Sequence, residues 1–175
     1  MRLIKMFFFI LPSLLIPGAF ASVVKSTVLV CYGRLNPETI KGYSCVILES
    51  EHYTSAEIKK IKTQNDKVLA YISLGEVNKY AKHYPKLKNH TIGKNTIWDS
   101  YYLNLCDGKT PKVLMSIIDE GIQAGYDGFF LDNLDNYTQF GPQPDQRNEV
   151  VALLKSIFEK YPNQTFLQNA GLEQQ

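Results

Sequence analysis

Five short apolar runs alternate along this chain with stretches of helical periodicity. The runs are residues 27–32 (TVLVCY), 45–48 (CVIL, followed by Glu49), 68–74 (VLAYISL, followed by Gly75 and Glu76), 129–131 (FFL) and 165–168 (TFLQ). A strand covered on both faces reads as a continuous apolar run, because the helices of a parallel sheet lie over it. Between the first two runs there is room only for a short helix or turn at residues 36–41. Thr54-Ser55-Ala56-Glu57 is a capping-box pattern opening a helix through Ile58 and Ile61. Thr110-Pro111 offers a cap and a proline for a second helix, with Val113, Leu114, Ile117, Ile118 and Ile122 at helical spacing and Gly125 as its C′ residue. Asp145 is the expected cap of a third, with Val150, Val151, Leu154, Ile157 and Phe158 on one face and Tyr161-Pro162 at its end. Such alternation predicts an α/β fold with parallel strands and right-handed crossovers. Residues 81–107 are less regular, and their Trp98, Tyr101 and Tyr102 fit an extra extended segment or a long loop over the carboxyl ends of the strands.

The first 21 residues have the form of a signal peptide. Arg2 and Lys5 make a basic start, residues 6–16 are apolar, and Ala19-Phe20-Ala21 is a small-x-small cleavage pattern. The apolar stretch is broken by Pro12 and Pro17 and is short for a membrane span, so secretion or export to a periplasm is expected, without stable membrane insertion. Loss of Arg2 and Lys5 lowers the basic residues from 19 to 17, equal to the 17 acidic ones. A neutral chain gives no reason to expect nucleic acid, whose binding rests on phosphate neutralisation. Cys31, Cys45 and Cys106 form no CxxC pattern, and the first two fall in apolar runs, where they read as small buried hydrophobes. His52, His83 and His90 are scattered and read as surface or loop residues. No metal or cofactor is expected.

Chemistry gathers where the runs end. Gly125 to Tyr137 reads GYDGFFLDNLDNY, an apolar core that stops in two carboxylates and two carboxamides. In α/β sheets and barrels the reacting groups stand at the carboxyl ends of the strands, which makes Asp132 the candidate catalytic acid. Asp135 and Asn136 serve equally well as turn caps or as ligand groups. Parallel strands would bring Tyr32, Glu49, Glu76, Asp132, Asp135 and Asn169 to one rim. Acids and amides bond sugar hydroxyls while rings pack on apolar sugar faces, and Tyr32, Tyr53, Tyr71, Trp98 and Tyr137 are the candidate rings. Each ring taken singly is equally a core or loop residue. Cleavage of a glycoside needs two carboxyl groups, one protonated and one ionised.

The segments ESEHY (49–53), VLAYISLGEV (68–77), GYDGFFLDNLD (125–135) and QNAG (168–171) occur in the order found in glycoside hydrolase family 114, which this chain resembles over nearly all of residues 22–175. The resemblance implies a TIM barrel, secretion, and retaining hydrolysis of α-1,4-linked galactosamine-containing polymers, as by an endo-α-1,4-polygalactosaminidase. It also implies that the aspartate of FLD, Asp132, is one catalytic carboxylate. On the rim read from the strand ends, Tyr32, Glu49, Tyr71, Glu76, Asp135 and Asn169 are then the groups expected around the polysaccharide. A TIM barrel has eight strands in about 250 residues. Five are readable here, so residues 22–175 are expected to form an incomplete barrel domain. The family's second carboxylate, a glutamate on the following strand, has no match. The alternative is a non-catalytic carbohydrate-binding protein, or a decayed remnant lacking that partner.

Overall fold

The computed structural model describes residues 27–169. The signal-peptide expectation for residues 1–21 lies outside them. Five parallel strands form the main sheet: β1 (Val28–Cys31), β2 (Cys45–Glu49), β3 (Val68–Ser73), and, after an inserted segment, β7 (Gly128–Asp132) and β8 (Thr165–Gln168). Their order across the sheet is their order along the chain. A doubly wound sheet reverses direction at its midpoint, whereas an arc of a barrel does not. All five expected strands are present; β8 keeps its expected bounds and no end of the other four moves by more than one residue.

The helices form where the periodicity places them. In α1 (Ser55–Lys62) the capping box is complete: the Glu57 amide donates to Thr54 Oγ1 at 3.3 Å and the Thr54 amide to Glu57 Oε2 at 2.9 Å. Thr54→Ala is expected to lower stability by about 1 kcal/mol, read from the urea midpoint at unchanged slope. Helix α3 (Thr110–Ala124) ends at Gly125, whose φ of 98° is the left-handed C′ conformation predicted for it. The start of α3 differs from expectation. Lys109 is its cap, and Thr110 lies buried inside the first turn. Asp145 does not cap α4 (Arg147–Lys160) either; it sits in a 3₁₀ turn, Pro144–Gln146, that leads into the helix. The buried face of α4 is Val150, Leu153 and Ile157, while Val151 and Phe158 are nearly half exposed. The inner stripe thus takes in Leu153 and leaves Val151 and Phe158 at its margin, because the side of the helix packed on the sheet is centred on Val150, Leu153 and Ile157.

The irregular segment is a second sheet. β4 (Glu76–Asn78), β5 (Thr91–Asn95) and β6 (Ser100–Leu103) pair antiparallel in the order β4-β6-β5, with a one-turn helix α2 (Tyr84–Leu87) between β4 and β5. It grows directly from the carboxyl end of β3. This changes the reading of Glu76, which opens β4 and is not the end of a main-sheet strand. The core lies between the main sheet and its helices, built on Val46, Leu48, Val68, Ala70, Phe129 and Leu131 against Ile58, Ile61, Leu114 and Ile118. On β1 and β8 alternate apolar residues face outward, with Val28 58%, Val30 46% and Leu167 43% exposed. Among the described residues each of these edge strands has one partner. No described helix is long and apolar enough to cross a membrane.

Candidate active site

Paired residues of a parallel ladder share a face, so the strand register sorts the rim into rows. Glu49 pairs with Tyr71, Tyr71 with Phe130, and Phe130 with Leu167. One step of the pleat nearer the carboxyl ends, Ser73 pairs with Asp132, and Asn169 follows β8 beside it. Tyr71 reaches up from the deeper row, and its hydroxyl donates to Asp132 Oδ2 at 2.6 Å. From the other side Asn169 Nδ2 donates to Asp132 Oδ1 at 3.0 Å. The Asp132 carboxylate is therefore oriented through both oxygens. Burial raises the Tyr71 hydroxyl pKa, and its bond to Asp132 raises it further, so the hydroxyl stays a donor throughout the ordinary pH range. Tyr32 stands edge-on to Tyr71, with ring centroids 4.9 Å apart, and is 55% exposed.

All seven expected site residues border one open cavity of about 830 Å³. They are not equivalent within it. Asp135 is exposed on the 3₁₀ turn that follows β7, free of side-chain hydrogen bonds to the other six. Glu76 is buried and already satisfied. Its Oε1 accepts from Asn95 Nδ2 and Asn136 Nδ2, both at 3.1 Å, and its Oε2 accepts from the Ser100 hydroxyl. The geometry thus makes Glu76 the knot joining β4, β5 and β6 to the turn after β7, rather than an open ligand group. Asn136 belongs to the same knot and is a buried structural amide. Two candidate rings are also structural: Tyr53 is 8% and Tyr137 0% exposed, and Tyr137 donates to the Leu74 carbonyl at 3.0 Å. His83 is in the turn that opens α2, as a loop residue, but it is buried there, with Glu120 Oε2 3.5 Å from its Nε2.

The loop after Asp132 turns sharply. Asn133 adopts a left-handed φ of 59°, a conformation asparagine tolerates better than most residues. Its Oδ1 accepts from the Ser73 hydroxyl at 2.7 Å, and Ser73 Oγ accepts from the Glu76 amide at 2.9 Å. Ser73 and Asn133 were not singled out from sequence. The signal available was period two: Ser73 follows Tyr71 on the same face of β3.

Glu49 is the titrating group of the rim. It lies in the deeper row, and burial, followed by the nearby Glu51 charge, raises its pKa from 4.5 to about 7. Between those values the unfolded chain releases this proton and the folded chain keeps it, so stability falls as pH rises through the window and levels off above it. Glu49→Gln mimics the protonated form. It should remove this decline and leave the protein more stable than wild type at pH 8 by on the order of 3 kcal/mol, checked by urea unfolding across the pH range. An unchanged decline in the variant would contradict the assignment.

Among the described residues no group of three or more His, Cys, Asp or Glu side chains is placed to hold a metal ion. Cys31, Cys45 and Cys106 are all unpaired thiols.

A monotonic parallel arc with an oriented aspartate at a strand's carboxyl end is the arrangement of a TIM-barrel segment with a candidate site on its carboxyl face. The sequence pattern of glycoside-hydrolase family GH114 matches residues 22–174, and the chain belongs to that family. The glycoside hydrolase domain of PelA from Pseudomonas aeruginosa superposes with a TM-score of 0.73 at 25% identity, covering 83% of this chain and 60% of that domain. Ega3 from Aspergillus fumigatus, solved in complex with galactosamine, has a TM-score of 0.66 at 18% identity and covers 83% and 59%. The α-galactosidase TtGalA of Thermus thermophilus, at 9% identity with a TM-score of 0.61, shares the fold. Protein MJ1477 of Methanocaldococcus jannaschii is 32% identical over 95 residues, 51% of this chain and 28% of that one. The chain thus spans about three fifths of the PelA domain, and its main sheet corresponds to five of the eight strands of a TIM barrel.

Proposed function

We propose that this chain serves in the hydrolysis of α-1,4-linked, galactosamine-containing polysaccharide by a retaining mechanism in which Asp132 is one of the two carboxylates. The observation that carries the reading is the double clamp of Tyr71 and Asn169 on Asp132 at the mouth of the cavity. Family membership and the likeness to PelA and to galactosamine-bound Ega3 support the substrate class. In the first step an Asp132 oxygen attacks the anomeric carbon as the glycosidic C–O bond breaks, and the departing oxygen takes a proton from the second carboxyl group. In the next, water loses a proton to that group and cleaves the glycosyl ester, freeing Asp132. The exposed Asp135 lines the same cavity and gives ammonium groups of the polymer a counter-charge, and Glu49, also on its wall, adds one above about pH 7. The leader-like residues 1–21 support action outside the cytoplasm.

A second reading is a carbohydrate-binding protein that holds the polymer without cutting it, favoured by the exposed rings of Tyr32 and Trp98 on the wall of the open cavity. Incubation with partially deacetylated α-1,4-polygalactosamine separates the two. Reducing ends whose first-formed anomer is α by proton NMR are the expected result, and a β product would overturn the retaining mechanism. Binding in a calorimeter with no reducing ends would leave the binding reading in its place.

A further inference from the structure

The inserted sheet carries a surface that Asp132 does not use. Its β5–β6 turn holds Trp98 72% exposed, and Tyr80, just after β4, is 81% exposed; both border the cavity that contains Asp132. Exposed rings on the wall of a cavity offer flat apolar faces to whatever occupies it. This pair is also held in place. Asn78 Oδ1 accepts from the Tyr80 amide at 2.9 Å, and Asn78 Nδ2 donates to the Asp99 carbonyl at 3.4 Å, so one side chain ties both segments together. Asp99, with a left-handed φ of 52°, pairs with Lys94 at 2.6 Å and Lys79 at 3.1 Å. Lys79 Nζ lies 4.9 Å from the Tyr80 ring centroid. Asn95 anchors the turn from below: its Oδ1 accepts from the Ile97 amide at 3.0 Å, and its Nδ2 donates to Glu76.

We propose that Trp98, which borders the cleft together with Tyr80, is a sugar-stacking subsite, taking a pyranose ring of the polymer other than the one at Asp132. The inference rests on the polysaccharide reading given above. Continuity of the cavity from Asp132 to Trp98 decides the occupant: a polymer lying across the acid rim passes the turn. A galacto-configured ring presents a patch of C–H groups on the face opposite its axial 4-oxygen, and an indole face is the side chain best matched to it. A cavity of about 830 Å³ is also at the upper end for a small-molecule site, which suits more than one ring. Trp98 would then set the preference for long over short substrates.

Trp98 is the sole tryptophan of the chain, so its emission reports on the subsite directly. In the Asp132→Asn background, which removes turnover, α-1,4-galactosamine hexasaccharide is expected to shift that emission to the blue, and the disaccharide to leave it unchanged. By calorimetry, Trp98→Ala should weaken hexasaccharide binding about tenfold while disaccharide affinity stays the same. Because the side chain is largely exposed, the variant is expected to fold normally, which its thermal midpoint checks. Hexasaccharide that binds by calorimetry without moving Trp98 emission, and as tightly to Trp98→Ala, overturns the subsite and leaves the polysaccharide reading standing. No binding of either oligomer overturns both.

Discussion

Asp132→Asn is expected to lower reducing-end release by about 10³-fold or more while leaving the unfolding midpoint within a few degrees of wild type. The amide is isosteric with the carboxylate but cannot form a glycosyl ester at useful rate. Its oxygen can still accept from the Tyr71 hydroxyl, which is 2.6 Å from Asp132 Oδ2. Its NH₂ group would meet the Asn169 NH₂ now 3.0 Å from Oδ1, but Asn169 is exposed and can turn its amide to present oxygen. The folded state therefore loses little, and the transition state loses its nucleophile. Comparison of initial rates with thermal unfolding of the same preparations separates the two effects. Activity that survives the substitution would remove Asp132 from the chemistry.

Gly128→Ala should have the largest effect on stability of any conservative change near the site, above about 4 kcal/mol. Gly128 opens β7 with φ 150°, a backbone conformation that side-chain-bearing residues rarely adopt. A Cβ there would stand 1.8 Å from the Thr165 carbonyl oxygen, which is backbone of the neighbouring strand and cannot swing aside. Relief requires β7 and β8 to part. Gly128 and Thr165 open the two strands, so the first side-chain contact to suffer is the neighbouring Phe129–Phe166 pair, ring centroids 6.2 Å apart, and Asp132 lies four residues further along β7. Since domains are stable by only about 5–15 kcal/mol, the variant is expected to be poorly folded at physiological temperature. Gly33→Ala is the control, as a Cβ there meets nothing within 4 Å. Urea unfolding of both checks the prediction, and similar midpoints would contradict it.

The five main strands were legible because each is apolar on both faces, and the rim was legible because each run ends in polar groups. Asp132 and Asn169 follow from that pattern, as does Tyr71, which shares a face with them two residues from Ser73. The inserted sheet was legible only in part: the extended segment expected at Tyr101 and Tyr102 is β6, but its pairing with β4 and β5 was not. β5, TIGKN, is mostly exposed and carries neither a continuous apolar run nor a clean alternation. Glu76 was misplaced for a related reason: VLAYISLGE reads as one strand with an acid at its tip, while the chain turns at Leu74-Gly75 and starts a second sheet. The burial of Tyr53 and Tyr137 depends on what packs over them, and a ring's sequence neighbours do not record that. The shift of Glu49 likewise comes from its depth below Asp132, which only the register between strands defines.

The central claim is that Asp132 bonds covalently to the sugar. 5-Fluoro-α-galactosaminyl fluoride tests this directly, because fluoride leaves without protonation and the chemistry then needs only the nucleophile. Asp132 oxygen would form the bond to the anomeric carbon as the C–F bond breaks, and the ring fluorine would slow hydrolysis of the ester. Peptide mass spectrometry of the treated protein is predicted to find one added glycosyl group, on Asp132, and none in Asp132→Asn. An adduct on another carboxylate, or labelling that persists in Asp132→Asn, would contradict the account.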